Sequence, residues 1–536
     1  MRRLVIIMMR KFCLFECYRQ FAPLKWHCRK DFHRGWTIYF LFLLMTLLFI
    51  LIISMWNTRE INKLIKKLPD IHNQSHALTE NLAVSHIFIV SAYYYPISKS
   101  LGRNAIAVNM VIDSKNSHMN TTSHYFVGSN NSYTQKSVAV LESETIEVCR
   151  YGSAVAMATM VDNLNRLEVE SGGTRFEIPF KIARYTAPKP VIFCISPQFV
   201  AEQWEIFVFH VHVAHRFGAH MIIYLTSIVD SYFELMQEYE RIGYITIEKW
   251  LKMKFNNPET PFFEPNLNTE LRNQAGAHAD CLLQYKEAAQ FISFFDMDDI
   301  LVPLNYPTYF QEFTHEFNKN PGARSIFYGR REHRFTKGGS FSKFNFHEIV
   351  QSLESSLTKA PKPVIKPELY NSMGIHGSKR DRNPNKQAFT LTGGPLITVP
   401  SIIHVQRPIG KDGPSDVHQL WKFEFGPFNE TIQDNDVEAL ENDIWRIRNI
   451  SAFAQLGSRL PNTDYFFSII FKCYLSEFYN RPLSKCPNAE SCEIPQNENY
   501  KCIHTDAKYV SSPSLEPYTY HFYTDEFWSK YYGCYH

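Results

Sequence analysis

Phe291-Ile292-Ser293-Phe294-Phe295-Asp296-Met297-Asp298-Asp299-Ile300-Leu301-Val302-Pro303 sets three carboxylates between two apolar runs. The first run is of the kind that fills a strand buried on both faces, and it ends directly in Asp296. The same pattern recurs upstream. Residues 191–195 read as a buried strand, 197–217 have helical character and stop at Gly218, and 220–226 are again a strand. Residues 229–242 place Phe233, Met236 and Tyr239 at helical spacing before Gly243, where a left-handed C-cap is expected. A strand over 244–249 and a helix over 275–289 lead into Phe291. Strands alternating with helices of this length imply an α/β layered fold with a mostly parallel sheet. In such sheets ligands gather at the carboxyl ends of strands, which is where Asp296, Asp298 and Asp299 fall.

Three carboxylates so placed repel one another unless a cation or solvent compensates. A divalent ion is the simplest compensation, and hard oxygen ligands favour Mg²⁺ or Mn²⁺. Asp296 and Asp298 are separated by one residue, so with the chain turning there both can reach one ion or its bound waters. An acidic surface turn and a calcium site are the alternatives for such an Asp-x-Asp. A reaction that needs this arrangement is the departure of a sugar nucleotide's diphosphate, whose developing charge a divalent ion neutralises.

The chain of 536 residues has material for about three domains, or one large domain with additions. Its 56 basic against 53 acidic side chains give a net +3, too balanced for an electrostatic case for nucleic acid. Residues 36–56 carry no charge and are rich in Leu, Ile and Phe, long enough to span a bilayer core. Arg2, Arg3, Arg10, Lys11, Arg19, Lys25, Arg29, Lys30 and Arg34 precede them against only Glu16 and Asp31, which predicts an uncleaved signal anchor with its N-terminus in the cytosol. The expected organisation is a cytosolic tail (1–35), a transmembrane anchor (36–56), a stem (57–85), a small β-containing subdomain (86–187), the α/β domain (188–450) and a Cys-containing extension (451–536). Everything after Trp56 would then face the secretory lumen. Eight cysteines lie on that side, Cys149, Cys194, Cys281, Cys473, Cys486, Cys492, Cys502 and Cys534, an even number that permits four bridges. The Cys486, Cys492, Cys502 cluster lacks the spacing of a zinc ribbon. Sequons at Asn73, Asn120, Asn130, Asn429 and Asn449 stand on the same side.

Several stretches carry a resemblance: Val191-Ile192-Phe193-Cys194-Ile195-Ser196-Pro197, Phe217-Gly218-Ala219-His220, Asp280-Cys281-Leu282-Leu283-Gln284-Tyr285-Lys286 and the run from Asp296 to Pro303. With Ser91-Ala92-Tyr93-Tyr94-Tyr95, Lys366-Pro367, Met373-Gly374-Ile375-His376-Gly377 and His404-Val405-Gln406-Arg407, their order and spacing over 86–450 resemble glycosyltransferase family 92, abundant in nematodes. The resemblance implies a GT-A-like fold, type II topology in the Golgi membrane, and transfer of galactose from UDP-galactose to a glycan acceptor on glycoprotein or glycolipid, with Mn²⁺ (or Mg²⁺) and inversion. It places Asp296, Asp298 and His376 at the metal, and Asp280, Asp299, His404 and Arg407 around the UDP-sugar donor. Val405-Gln406 stands where the family usually has a single Tyr. Inversion needs a carboxylate base, and nothing in the sequence chooses among Glu332, Glu348, Asp412 and Asp416. Arg330, Arg331 and Arg334 read as a solvated face or a phosphate patch. A lumenal metal-dependent phosphoester hydrolase, which would want more ligands, and a membrane-anchored glycan-binding protein without turnover are the rival functions.

Overall fold

The computed structural model describes residues 84–536 except 117–118, 120–121, 257–263, 304, 335–339, 352–353, 358–361, 379–388, 399–425, 428–431, 462–464, 480–484, 515 and 535–536. The expected tail, anchor and most of the stem lie outside these residues, and no described helix is long and apolar enough to cross a membrane. Nine strands come first: β1 (Ser85–Ser98), β2 (Gly102–Asp113), β3 (Tyr125–Ser129), β4 (Thr134–Val138), β5 (Val140–Glu144), β6 (Tyr151–Thr159), β7 (Arg166–Ser171), β8 (Thr174–Ile178) and β9 (Lys181–Ile182). β1 and β2 form a hairpin closed at Gly102, whose φ of +84° is a conformation that a side chain would strain. β6 and then β5 extend this sheet by antiparallel pairing, leaving β5 at its edge. β4, β3, β7 and β8 make a separate four-stranded sheet.

The layered region follows: β10 (Val191–Gln198), α1 (Trp204–Arg216), β11 (Ala219–Leu225), β12 (Ser227–Val229), α2 (Asp230–Arg241), β13 (Ile245–Lys249), α3 (Gln274–Tyr285), β14 (Phe291–Phe295), β15 (Asp299–Leu301), α4 (Tyr309–Lys319), β16 (Ser325–Arg334), α5 (Phe346–Gln351), β17 (Glu354–Leu357), β18 (Lys362–Ile365), β19 (Phe389–Thr398) and β20 (Gly426–Pro427). β13, β11, β10 and β14 lie side by side and parallel. Beyond β14 the expected mostly parallel sheet gives way to a mixed one. β18 runs antiparallel to β14, β16 antiparallel to β18, and only β19 restores a parallel pairing, with β16. The reason is connectivity: β14 and β16, linked through α4, point the same way, and β18, which arrives later in the chain, inserts antiparallel between them.

The parallel half is buried on both faces, so its strands read as continuous apolar runs rather than alternating ones. Phe193, Phe295, Phe207, Tyr239 and Ile223 pack on one side with the helices, while Cys194, Phe294, Ile292 and Tyr285 pack with α3 on the other. A fully buried side chain of this kind stabilises by about 1.5–3 kcal/mol. Gly218 and Gly243 end α1 and α2 with φ of +86° and +83°, as the sequence leads one to expect. α1 begins at Trp204, later than its apolar pattern suggests, because β10 runs on through Pro197 to Gln198. Its register against β11 shifts between Ile195 and Gln198, where Pro197 has no N–H for the ladder. α3 ends at Tyr285 rather than 289, the amides of Ala288 and Ala289 both returning to the Tyr285 carbonyl.

Helices α6 (Asp434–Arg448), α7 (Ser451–Gly457) and α8 (Phe466–Tyr474) precede the last two strands, β21 (Lys501–Ser511) and β22 (Tyr518–Tyr532). β22 pairs parallel with β1 and antiparallel with β21, so the end of the chain completes the sheet that its first described strands began. The eight cysteines pair as Cys149–Cys486, Cys194–Cys281, Cys473–Cys492 and Cys502–Cys534. Cys194–Cys281 fastens β10 to α3, and Cys149–Cys486 joins residues 337 apart in sequence.

Candidate active site

β14 delivers Asp296 at its carboxyl end and the chain turns at once. The Asp299 amide donates to the Asp296 carbonyl at 3.0 Å, and the Asp296 amide donates to the Asp299 carboxylate at 3.0 Å. This reciprocal pair closes a tight turn, with Asp298 half-buried on it and Asp299 fully buried at the start of β15. Carboxylate oxygens of Asp296, Asp298 and Asp299 all lie within 4.8 Å of one another. Of the described His, Cys, Asp and Glu side chains, these form the group able to hold a metal ion.

Side chains from other elements fix the turn. Lys362 on β18 is fully buried and pairs with Asp296 at 2.6 Å and Asp299 at 3.1 Å. Its ammonium offsets one of the three negative charges, leaving two for a divalent ion to balance. Gln274, the first residue of α3, donates from Nε2 to the other Asp296 oxygen at 2.7 Å. His210 on α1 is bonded through Nδ1 to the Met297 carbonyl at 2.9 Å, and burial pushes its imidazole down to about 4. It is therefore neutral at physiological pH, and the nitrogen facing a carbonyl carries the proton.

α3 owes its position to an unusual entry. Leu271, Arg272 and Asn273 have φ of +42°, +56° and +59°, three left-handed residues in a row. The Arg272 carbonyl accepts from the Trp250 indole at 2.9 Å and the Leu271 amide donates to the Pro487 carbonyl at 2.7 Å, so outside contacts hold this backbone. Beside it a small recess lies at the carboxyl ends of β11 and β13, lined by Thr226, Trp250, Lys252, Arg272 and Asn273 among others. Lys252 and Arg272 both pair there with Glu490.

His376 is exposed at the tip of the segment 371–378. Buried His278 of α3 is bonded through Nδ1 to the Gly374 carbonyl of that segment at 3.3 Å. Burial, with the Lys362 ammonium near it, pushes the His278 imidazole down to about 4, and the charges of Asp296 and His376 act on it as well. His278 therefore lies between the acidic turn and the His376 loop, and His376 itself is not in the group of side chains that close to within 4.8 Å of one another. Its Nε2 is buried with no partner among the described residues. Asp280 lies further along α3, buried, its carboxylate taking hydroxyls from Ser91 at 2.5 Å, Tyr93 at 2.9 Å and Tyr224 at 2.6 Å. It joins α3 to β1 and β11. His404, Arg407, Asp412 and Asp416 lie outside the described residues, as do the side chains of Arg330, Arg331, Glu332 and Arg334. Glu348 is exposed on α5.

Sequence reasoning did not find Lys362, Gln274, His210 or His278. Lys362 falls in residues 360–367, where Pro361, Pro363 and Pro367 make the sequence read as a Pro-rich connection, and nothing local marks a lysine that will be buried against carboxylates. His278, four residues after Gln274, shares a helix face with it, a weak signal at best.

Residues 189–448 match the family model of glycosyltransferase family 92. The glycosyltransferase family 92 protein ZK381.2 of Caenorhabditis elegans is 52% identical over 464 residues, covering 85% of this chain and 91% of its own. Another family 92 protein of the same organism is 37% identical over 491 residues, covering 87% and 93%. The chain belongs to glycosyltransferase family 92. Among solved structures, residues 1–349 of TarS from S. aureus overlay with a TM-score of 0.22 at 10% identity, covering 49% of this chain and 72% of that one. The mannosyltransferase PcManGT of Pyrobaculum calidifontis, in complex with GDP-Man and Mn²⁺, gives 0.22 at 9%, covering 54% and 82%. Overlays of that score do not define a common fold.

Proposed function

We propose that this chain is a divalent-metal-dependent transferase that moves a sugar, galactose, from a UDP-sugar to a glycan acceptor with inversion, on a GT-A-like fold. The observation that carries the reading is the convergence of Asp296, Asp298 and Asp299 within 4.8 Å at the carboxyl end of β14, in the parallel half of the sheet. Lys362 balances only one of these carboxylates, and the hard oxygen donors suit Mn²⁺ or Mg²⁺. Asp296 and Asp298 would hold the ion, with His376 brought to it by its loop. A divalent ion there supplies charge neutralisation to a departing diphosphate. The protein's own part is to keep the carboxylates fixed: Gln274 and Lys362 orient Asp296, His210 anchors Met297, and buried Asp299 closes the turn. A site held this way reorganises little during reaction, which is where electrostatic catalysis gains most. The uncharged stretch 36–56 behind a basic tail supports a type II anchor, four disulfides suit a lumenal compartment, and the Golgi membrane is the location that the family resemblance implies.

The test is to incubate the purified full-length chain with UDP-galactose, UDP-glucose and UDP-N-acetylglucosamine, with Mn²⁺ or EDTA, and to measure UDP release with and without glycan acceptors. Acceptor-stimulated release from UDP-galactose that EDTA abolishes is expected. Release that is indifferent to EDTA would remove the metal, and preference for another donor would remove galactose.

A further inference from the structure

The segment 371–378 is closed by a clasp that comes from a different sheet. Ser372 and Ser378, on either side of His376, both donate their hydroxyls to the same oxygen, Glu144 Oε1, at 3.2 and 2.9 Å. Glu144 is the last residue of β5, the edge strand of the eight-stranded sheet, and all three side chains are buried. Glu142, on the same face of β5, accepts from Asn371 Nδ2 at 3.1 Å and lies 3.5 Å from the Ser372 hydroxyl, a longer alternative to Glu144 for that proton. Between the two serines the chain is tightly folded. Ile375 and Gly377 form a bridge, and Gly377 has a φ of +108°. A Cβ on Gly374 would come within 2.7 Å of the Gly377 carbonyl and 3.3 Å of Glu144 Oε2. The other flank is held by His278, through the Gly374 carbonyl.

We propose that Glu144 is a positioning residue for His376: one buried carboxylate oxygen from the amino-terminal sheet ties both ends of the loop and presents His376 to the acidic turn. The inference rests on the proposed metal role of that turn and extends it to a residue far from it in sequence. Two hydroxyls donating to a single carboxylate oxygen make charge-assisted bonds, stronger than neutral ones. Their loss frees the loop ends without touching Asp296, Asp298 or Asp299. Partners of a metal ligand's support typically govern metal affinity by roughly 10- to 100-fold.

The experiment titrates Mn²⁺ against the full-length chain, reading free ion by its paramagnetic resonance signal, with hydrogen exchange at 371–378 measured in parallel. Glu144→Ala should weaken Mn²⁺ binding about 10-fold and speed exchange in the loop. Glu144→Gln, which keeps an oxygen acceptor for both serines but loses the charge that strengthens their bonds, should fall between wild type and Glu144→Ala. Loss in His376→Ala should match that in Glu144→Ala, and combining the two should add nothing, since one acts through the other. Should Glu144→Ala fold poorly, the Ser372→Ala/Ser378→Ala pair cuts the same clasp. Wild-type affinity in the clasp variants, or additive losses in the double variant, overturns the proposal while leaving the metal site standing if Asp298→Ala still abolishes binding. A wild-type chain that binds no Mn²⁺ overturns the metal reading and this proposal together.

Discussion

At the scale of single residues, the site is a balance of charge. Asp298 lies on the turn and is less enclosed than Asp299. Asp298→Ala is expected to remove most transferase activity, a loss of two orders of magnitude or more, equivalent to about 3 kcal/mol of transition-state stabilisation. Its melting temperature without metal should hardly move, while the shift produced by Mn²⁺ plus UDP shrinks by linkage; unchanged turnover would show that Asp298 is not an anchor. Lys362 makes the opposite case. Lys362 and Asp299 are both fully enclosed, so Lys362→Met removes the ion partner of a buried carboxylate and should cost about 3 kcal/mol in metal-free melts. Mn²⁺ should restore more stability to this variant than to wild type, because the ion takes over the missing charge. A smaller Mn²⁺ shift in the variant would contradict that account.

At the scale of elements, α3 is the part that everything else registers against. Its amino end gives Gln274 to Asp296, its middle gives His278 to the His376 loop, and Asp280 and Cys281 bind it to β1, β11 and β10. Gly276 sits one turn in, where a Cβ would fall 2.6 Å from Asn273 Cγ, and its carbonyl accepts from Asn109 Nδ2 at 2.9 Å. Asn273 is buried, so its side chain has little room to swing away from the added methyl. Gly276→Ala should therefore destabilise by about 1–3 kcal/mol despite alanine's better helix propensity, measured by denaturant unfolding. A stabilised variant would mean the left-handed entry is more pliant than its contacts imply.

At the scale of the whole molecule, burial of neutral imidazoles ties stability to pH. Burial pushes His124 and His220 down to about 4 and His521, beside His86, down to about 3. Above the ordinary value near 6.5 these groups are neutral folded or unfolded and contribute no difference. Below it the unfolded chain binds protons that the folded chain refuses, so stability falls as pH drops from about 6.5 towards 4, by up to about 1.4 kcal/mol per pH unit for each group. Melting temperature recorded across that window should decline steadily, and Phe in place of His124, which stacks on Tyr518, should flatten the slope. A profile indifferent to this substitution would discharge His124 from the role.

The amino-acid sequence by itself determined the parallel half of the sheet and the place of its acidic turn. Strands buried on both faces must be apolar throughout, and the carboxylates after Phe295 break that run so sharply that position and chemistry are read together. It also determined the ends of α1 and α2, since Gly218 and Gly243 adopt backbone angles that other residues resist. Tertiary structure alone decided the rest. The antiparallel half depends on how β16 and β18 return to β14, and residues 362–365 look like a linker until the sheet takes them in. Lys362, Gln274, His210 and Glu144 reach the site from β18, α3, α1 and β5, elements scattered along the chain, and a polar side chain carries no local mark of the partner it will meet. Burying it is costly unless that partner is there, so which of the many polar residues enter the interior is settled only when the fold brings the partners together.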